Sequence, residues 1–200
     1  MSDATDGLIA RISSNLLPVA VTDGSDQPVR PGQRPASVLM PLIHRDDWQV
    51  LLTRRPLHMP SHGGQISFPG GRTEAGEQPH EGALRETREE IGVDAQMITL
   101  LGRLPSFNAI SNYRVTPFVG VLEARAKITP CEREVEEVFE IPLAFFMDRA
   151  NHVARKVSYE GRELIMYDMP WPDRQNVKYN IWGMTAMIIY QVVEGLRRAA

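Results

Sequence analysis

The sequence predicts an α+β or mixed α/β sandwich in a single domain. Short apolar strand-like runs alternate irregularly with a few helical segments, and 15 glycines and 15 prolines punctuate them as turns. At 200 residues and 42% hydrophobic content, the chain can bury one substantial core. Residues 1–200 therefore read as one domain, with 1–35 an N-terminal helix and connecting loop.

Leu8, Ile9, Ile12, Leu16 and Leu17 recur at helical spacing over residues 7–17, before a Gly/Pro/Asp-rich connection from 23 to 35. "ASVLMPLI" (36–43) and "WQVLLTRR" (48–55) flank the polar "HRDD" and predict a hairpin. Residues 56–76 are loop-like, interrupted by "QISF", which could form a brief strand. Pro79 suits the first turn of a helix and Gly92 its stop, with Leu84, Thr87 and Ile91 as the inner stripe, so the helix spans about 79–91. "QMITLLGRL" and "RVTPFVGVLEA" predict two further strands around the polar "PSFNAISNY". "REVEEVFEIPLAFFMD" reads as a strand leading into a short helix, and "HVARKVSYEG" with "RELIMYDMP" as a hairpin turning at Glu160-Gly161. Residues 181–198 close the chain as a helix whose Met184, Met187, Ile188, Val192 and Leu196 read as core, with a homodimer face as the alternative.

Composition excludes several functions. A net charge of -3 leaves no broad basic face, so no nucleic-acid partner is expected. The single Cys131 excludes an internal disulfide and a cysteine-based zinc site and fits a reducing compartment. "MSDATDGLIARISSNLL" does not read as a secretory signal, and the apolar stretch at 181–193 falls short of the roughly 20 residues a membrane span needs. No membrane partner is expected, and the predicted location is cytoplasmic.

The most informative segment is "GGRTEAGEQPHEGALRETREEIG" (70–92). Glu86, Glu89 and Glu90 stand at i, i+3 and i+4 and share one helical face. Part of this pattern suits an ordinary solvated helix, because Glu81 with Arg85 and Arg85 with Glu89 are favourable i, i+4 pairs. The rest does not. Glu86 and Glu90 form a like-charge i, i+4 pair costing about 0.2–0.5 kcal/mol. Glu89 and Glu90 lie against the negative end of the helix dipole, at about 0.3–1 kcal/mol each. A divalent cation reverses those penalties, and an oxygen-only donor set selects Mg²⁺ or Mn²⁺.

These residues spell a known pattern. Gly71, five residues, Glu77, seven residues and then "RETREEIGV" resembles the Nudix box, G-x5-E-x7-R-E-U-x-E-E-x-G-U, where U is a bulky apolar residue. Gly71, Glu77, Arg85, Glu86, Glu89, Glu90 and Gly92 all match, while Thr87 replaces an apolar residue on the inner stripe. The resemblance implies a hydrolase of nucleoside diphosphate derivatives on an α/β/α sandwich with a mixed central sheet. It implies that Glu86, Glu89 and Glu90 hold divalent ions while Glu77 and Arg85 brace the loop against the helix. The catalytic base would be a box glutamate, Glu89 first and Glu86 with it in the catalytic group, or a carboxylate from a later loop such as Glu134, Glu136 or Glu137.

A narrower resemblance precedes the box. "LLTRRPLHMPSHGGQISFPGG" (51–71) is similar to the signature of the coenzyme A diphosphatase branch. Leu51, Leu52, Thr53, Arg55, Gly64, Phe68, Pro69, Gly70 and Gly71 fit, whereas Pro56 replaces Ser or Ala and Pro60 replaces Arg. The implied substrate is a small-molecule nucleotide, coenzyme A or a derivative, split into 3',5'-ADP and 4'-phosphopantetheine. ADP-ribose and NADH are the alternatives, and a non-catalytic ligand-sensing domain is a third reading. Arg55 and Arg54 are the candidate phosphate-binding residues, Arg55 favoured because it matches the signature and strand alternation points the two apart. His58 and His62 read as exposed loop residues. Phe107, Tyr113 and Trp182 could stack on adenine but read first as packing residues.

Overall fold

A computed structural model describes residues 3–20, 30–59, 63–109, 112–159, 161–172 and 178–198. Pro60, His62 and Glu160, and with them part of the substrate signature and one residue of the expected turn, lie outside the described residues.

The first helix, α1, spans Asp3–Ser13 rather than reaching residue 17. Side chains end it: Ser14 Oγ and Asn15 Nδ2 both donate to the Arg11 carbonyl, at 3.0 and 2.8 Å, taking up an acceptor at the helix terminus. Leu17 is then redirected to the sheet, exchanging backbone hydrogen bonds of 2.9 and 3.0 Å with Arg103.

Strands β1 (Arg34–His44) and β2 (Trp48–Arg54) form the expected hairpin, with His44 opposite Trp48. Two short strands follow, β3 (Ile66–Ser67) and β4 (Gly70–Arg72), then helix α2 (Pro79–Ile91). Next come β5 (Ile98–Arg103), β6 (Phe107–Asn108), β7 (Tyr113–Leu122) and β8 (Glu137–Pro142). A short helix α3 (Leu143–Met147) leads to β9 (Val153–Tyr159), β10 (Arg162–Pro172) and β11 (Lys178–Ile181), and α4 (Gly183–Arg198) closes the order.

The main sheet is mixed. β7 runs parallel to β1 along its length, from Arg34 opposite Tyr113 to Ile43 opposite Leu122, while its other pairings are antiparallel. Because β7 occupies one edge of β1, both β2 and β4 must use the other; because β8 occupies one edge of β2, both β1 and β3 must use the other. The hairpin therefore splays beyond Leu42 and Val50, and residues 66–72 wedge into the fork. Leu39 N–H to Pro69 O at 2.9 Å and Arg55 N–H to Gln65 O at 3.0 Å fasten the wedge on both sides. β9, β10 and β11 make a separate antiparallel sheet.

Both faces of the main sheet are covered, which explains the nearly continuous apolar runs of β1 and β2. Leu39, Ile43, Leu51 and Phe118 turn to α2 and pack with Ala83 and Ile91. Met40, Leu42, Val50, Leu52 and Val119 turn to the opposite face, where α1, α3 and α4 supply Ile12, Phe146, Ile189 and Leu196. The result is a mixed sheet between helical layers. The stripe of α2 differs from expectation by one residue: Ala83 is fully buried and Leu84 only partly, which places Ala83, Thr87 and Ile91 at i, i+4 and i+8. Buried Thr87 satisfies its hydroxyl within the helix, donating to Ala83 O at 2.7 Å. On α4, Ile188, Val192 and Leu196 are buried in the chain's own core, so those side chains are not available to a partner. Among the described residues no helix is long and apolar enough to cross a membrane.

Candidate active site

The fork delivers a loop to the start of α2. Gln78 caps the helix, its backbone N–H donating to Glu81 Oε2 at 2.9 Å, and Pro79 occupies the first turn. Glu81 is thus turned toward the helix N-terminus, and the i, i+4 pair with Arg85 expected from spacing does not form. At the other end Gly92 takes the left-handed conformation (φ 70°) and donates to Arg88 O at 2.9 Å.

Arg85 organises the acidic face instead. Its Nε and Nη2 donate to the two carboxylate oxygens of Glu77 at 2.9 and 3.2 Å, and Nη2 also reaches the Arg72 carbonyl at 2.9 Å. Its Nη1 donates to Glu86 at 3.0 Å and Glu89 at 3.1 Å. Glu77 additionally accepts the Glu74 N–H at 2.8 Å. The loop after β4 is thereby tied to the middle of α2. Arg85 holds the Glu77 carboxyl below the ordinary carboxylate range.

The three helix carboxylates divide rather than converge at one point. At roughly 100° per residue, Glu90 lies about 40° to one side of Glu86 and Glu89 about 60° to the other. Glu86 and Glu89 line an open hollow of about 630 Å³, with Arg72, Glu74, Arg85 and Glu134 among its other walls. Glu90 turns inward, 3% exposed, where Oε2 accepts the Gly70 N–H at 3.3 Å and Oε1 lies 3.8 Å from Arg55 Nη1. Burial lifts the Glu90 carboxyl to about 8, against the lowering effect of Gly70 and Arg55, with Glu86 and Glu134 adding repulsion. Burial raises Glu86 as well, opposed by Arg85. Gly71 has a steric reason: a Cβ there would come within 2.6 Å of the Glu86 carboxylate.

Among the described residues, no three His, Cys, Asp or Glu side chains already form a finished metal cage. The donor chemistry nevertheless fits a hard divalent cation. Carboxylates alone are gathered, two of them crowded enough that burial favours their neutral forms, and a cation would restore the charged forms.

A second hollow of about 300 Å³ adjoins the first, sharing Arg72. Arg55, Gln65, Ser67 and Tyr113 give it polar groups, and Met184 and Ile188 of α4 an apolar wall. Arg55 also donates to Met59 Sδ at 3.3 Å. Arg54 lines neither hollow: it pairs with Glu137 at 3.0 Å and Glu136 at 3.4 Å and lies over the Tyr179 ring. Glu137 further accepts the Tyr179 hydroxyl at 2.8 Å, so of the three later carboxylates Glu134 alone reaches the acidic hollow. Its loop is fastened to the end of α2, Cys131 N–H donating to Glu90 O at 2.9 Å and Thr129 N–H to Ile91 O at 2.8 Å. His58 and Trp182 are exposed, and Phe107 is half-buried in β6.

Arg72 was not singled out in the sequence. Its signal was position alone, the first side chain after the glycine pair, and nothing in "GGR" distinguishes a hollow-lining arginine from a solvated one.

A family model described as the NUDIX domain matches residues 33–160. The Uncharacterized Nudix hydrolase NudL of Yersinia pestis (strain Pestoides F) is 36% identical over 162 residues, which cover 80% of this chain and 79% of that protein. The NudL of Yersinia pseudotuberculosis serotype O:1b (strain IP 31758) gives the same identity and coverage, 36% over 162 residues. A MutT/nudix family protein from Enterococcus faecalis superposes with a TM-score of 0.52 at 18% identity, over 86% of this chain and 64% of that one. A NUDIX family hydrolase from Clostridium perfringens gives 0.50 at 14% identity, over 84% and 98%. These two likenesses bear on fold alone, that of a mixed sheet between helices. With the family model spanning more than half the chain and the NudL identity extending across four-fifths of it, the chain belongs to the Nudix hydrolase family.

Proposed function

We propose that this Nudix hydrolase cleaves a diphosphate linkage in a nucleotide with the aid of Mg²⁺ or Mn²⁺, and that its substrate is coenzyme A or a derivative, in a cytoplasmic setting. The observation that carries the reading is the pairing of two hollows at Arg72, one walled by carboxylates and the other by arginines without a carboxylate. A diphosphate would be repelled from the acidic hollow unless a cation intervened, while its organic substituent could extend into the second.

Glu86, Glu89 and Glu90 would hold divalent cations, Glu86 and Glu89 from the acidic hollow and Glu90 from its inner side. When bound, a cation supplies charge neutralisation and a more acidic water. Arg85 fixes the loop through Glu77, which keeps Gly71 against the Glu86 carboxylate. Arg55, held between Glu90 and Met59, donates to a phosphate oxygen, and Arg54 supports β8 instead. Glu89, the most exposed of the three carboxylates, takes the proton of the attacking water; Glu134, on the facing loop, is the rival base. Oxygen of that water ends on one phosphorus, and the bridging oxygen leaves with the other, giving 3',5'-ADP and 4'-phosphopantetheine from coenzyme A.

ADP-ribose and NADH are the second reading, favoured by the two prolines in the substrate signature, Pro56 and Pro60. Turnover of coenzyme A, ADP-ribose and NADH with Mg²⁺ or Mn²⁺, products resolved by chromatography, separates the two. Coenzyme A is expected to give the highest kcat/KM. A preference for ADP-ribose would overturn the assignment.

A further inference from the structure

The second hollow carries, beyond the Arg55 that the cleavage reaction uses, charge that the reaction does not need. Arg72 and Arg55 both line it and no carboxylate does. Glu90 offsets Arg55 in part, at 3.8 Å, but Arg72 makes no ion pair among the described residues. A third guanidinium stands at the same end of the sheet. Arg34 begins β1 directly opposite Tyr113 at the start of β7, and its guanidinium carbon lies 5.2 Å from the centre of the Tyr113 ring. Tyr113 itself lines the hollow. With one face covered by Arg34, the ring can offer the hollow its other face or its edge, and a guanidinium on the far side makes an aromatic ring a stiffer platform.

Arg72 sits on β4, which is fixed between β1 and the Arg85 bond to its carbonyl, so its position is set by backbone rather than by a flexible loop. A diphosphate bound through a cation in the acidic hollow already has its charge met there. A neutral sugar and base in the neighbouring hollow would gain nothing from arginines that must give up water to receive it. An anionic group would.

We propose that this hollow, at the junction of β1, β4 and β7, selects nucleotides that carry a phosphate monoester in addition to the scissile diphosphate. Arg72 is its specificity-determining residue, and Tyr113, backed by Arg34, stacks on the base. None of the three belongs to the 51–71 signature, and Arg72 supplies a positive charge that the signature loses at Pro60. This rests on the nucleotide diphosphatase reading above and narrows its substrate class, because ADP-ribose and NADH have no third phosphate, whereas coenzyme A has one.

Two substrate pairs test it: coenzyme A against dephospho-coenzyme A, and NADPH against NADH, with kcat and KM measured separately. The phosphorylated member of each hydrolysed pair is expected to lead by about tenfold or more in kcat/KM, chiefly through KM, which corresponds to about 1.4 kcal/mol of added binding. Arg72→Gln should lower kcat/KM for the phosphorylated member more than for the other, and Arg72→Lys should restore part of the preference. Equal rates within both pairs in the unaltered protein would overturn the proposal, as would Arg72→Gln lowering both members alike. Failure to cleave either form of coenzyme A would instead overturn the coenzyme A assignment, while the NADPH to NADH ratio would still report on the subsite.

Discussion

Glu89 and Glu134 face one hollow from two different elements, and their roles separate on replacement. Glu89→Gln is expected to slow turnover by two or more orders of magnitude, the scale of general base catalysis, with the circular dichroism spectrum unaltered. If Glu134→Gln is the slower of the two and Glu89→Gln stays near normal, the base lies on the loop. Glu77 contributes differently. Arg85 depresses its carboxyl in the folded chain, so its stabilising effect is complete above the ordinary value of 4.5 and is lost as pH falls through the folded value. The melting temperature of Glu77→Gln should therefore lie furthest below that of the unaltered protein at neutral pH, and the gap should close on acidification below 4.5. A gap constant from neutral pH into the acid range would show that the Glu77–Arg85 pair contributes no such stability. At this scale the sequence was partly legible. Spacing gave the residues of the acidic face but misassigned Glu81, because a carboxylate near a helix start can either pair four residues on or bond the cap, and only the chain path before Gln78 decides.

The boundaries of α2 could be read directly because each end carries its own signal, a proline in the first turn and a glycine just past the last. Gly92→Ala tests the second. Its φ of 70° disfavours any side chain, and a Cβ would come 2.9 Å from the Thr129 carbonyl, so a loss of about 1–2 kcal/mol is expected in denaturant unfolding. That change would also disturb the loop carrying Glu134, so activity should fall with stability. A fully stable Gly92→Ala protein would show that the cap is not needed. By contrast, β4 was not legible: Gly-Gly-Arg has no strand propensity, and it becomes a strand because the splayed hairpin offers it the edge of β1. The two-residue β6 and the strand β11 escaped for a similar reason, their pairing being decided by β7 and β10. The end of α1 escaped because Ser14 and Asn15 act through side-chain bonds that periodicity does not register.

Across the whole molecule, the parallel β1–β7 pair and the fork between β1 and β2 place three things at one end of the sheet: the start of α2, the arginine-lined hollow and the loop anchored at Cys131. The layered fold was legible from alternating apolar runs and from the box pattern. The second hollow was not, since it draws on β1, β3, β4, β7 and α4, elements that lie far apart in sequence and meet only on folding. In the proposed chemistry the carboxylates of α2 work through a divalent cation on a nucleotide diphosphate. Its most direct test is coenzyme A turnover by protein stripped with EDTA, then titrated with Mg²⁺ or Mn²⁺, alongside Glu86→Gln. Turnover should be absent after stripping, return with added cation as 3',5'-ADP and 4'-phosphopantetheine, and stay at least about 100-fold lower in the variant. Turnover that persists in EDTA, or that survives Glu86→Gln undiminished, would contradict it.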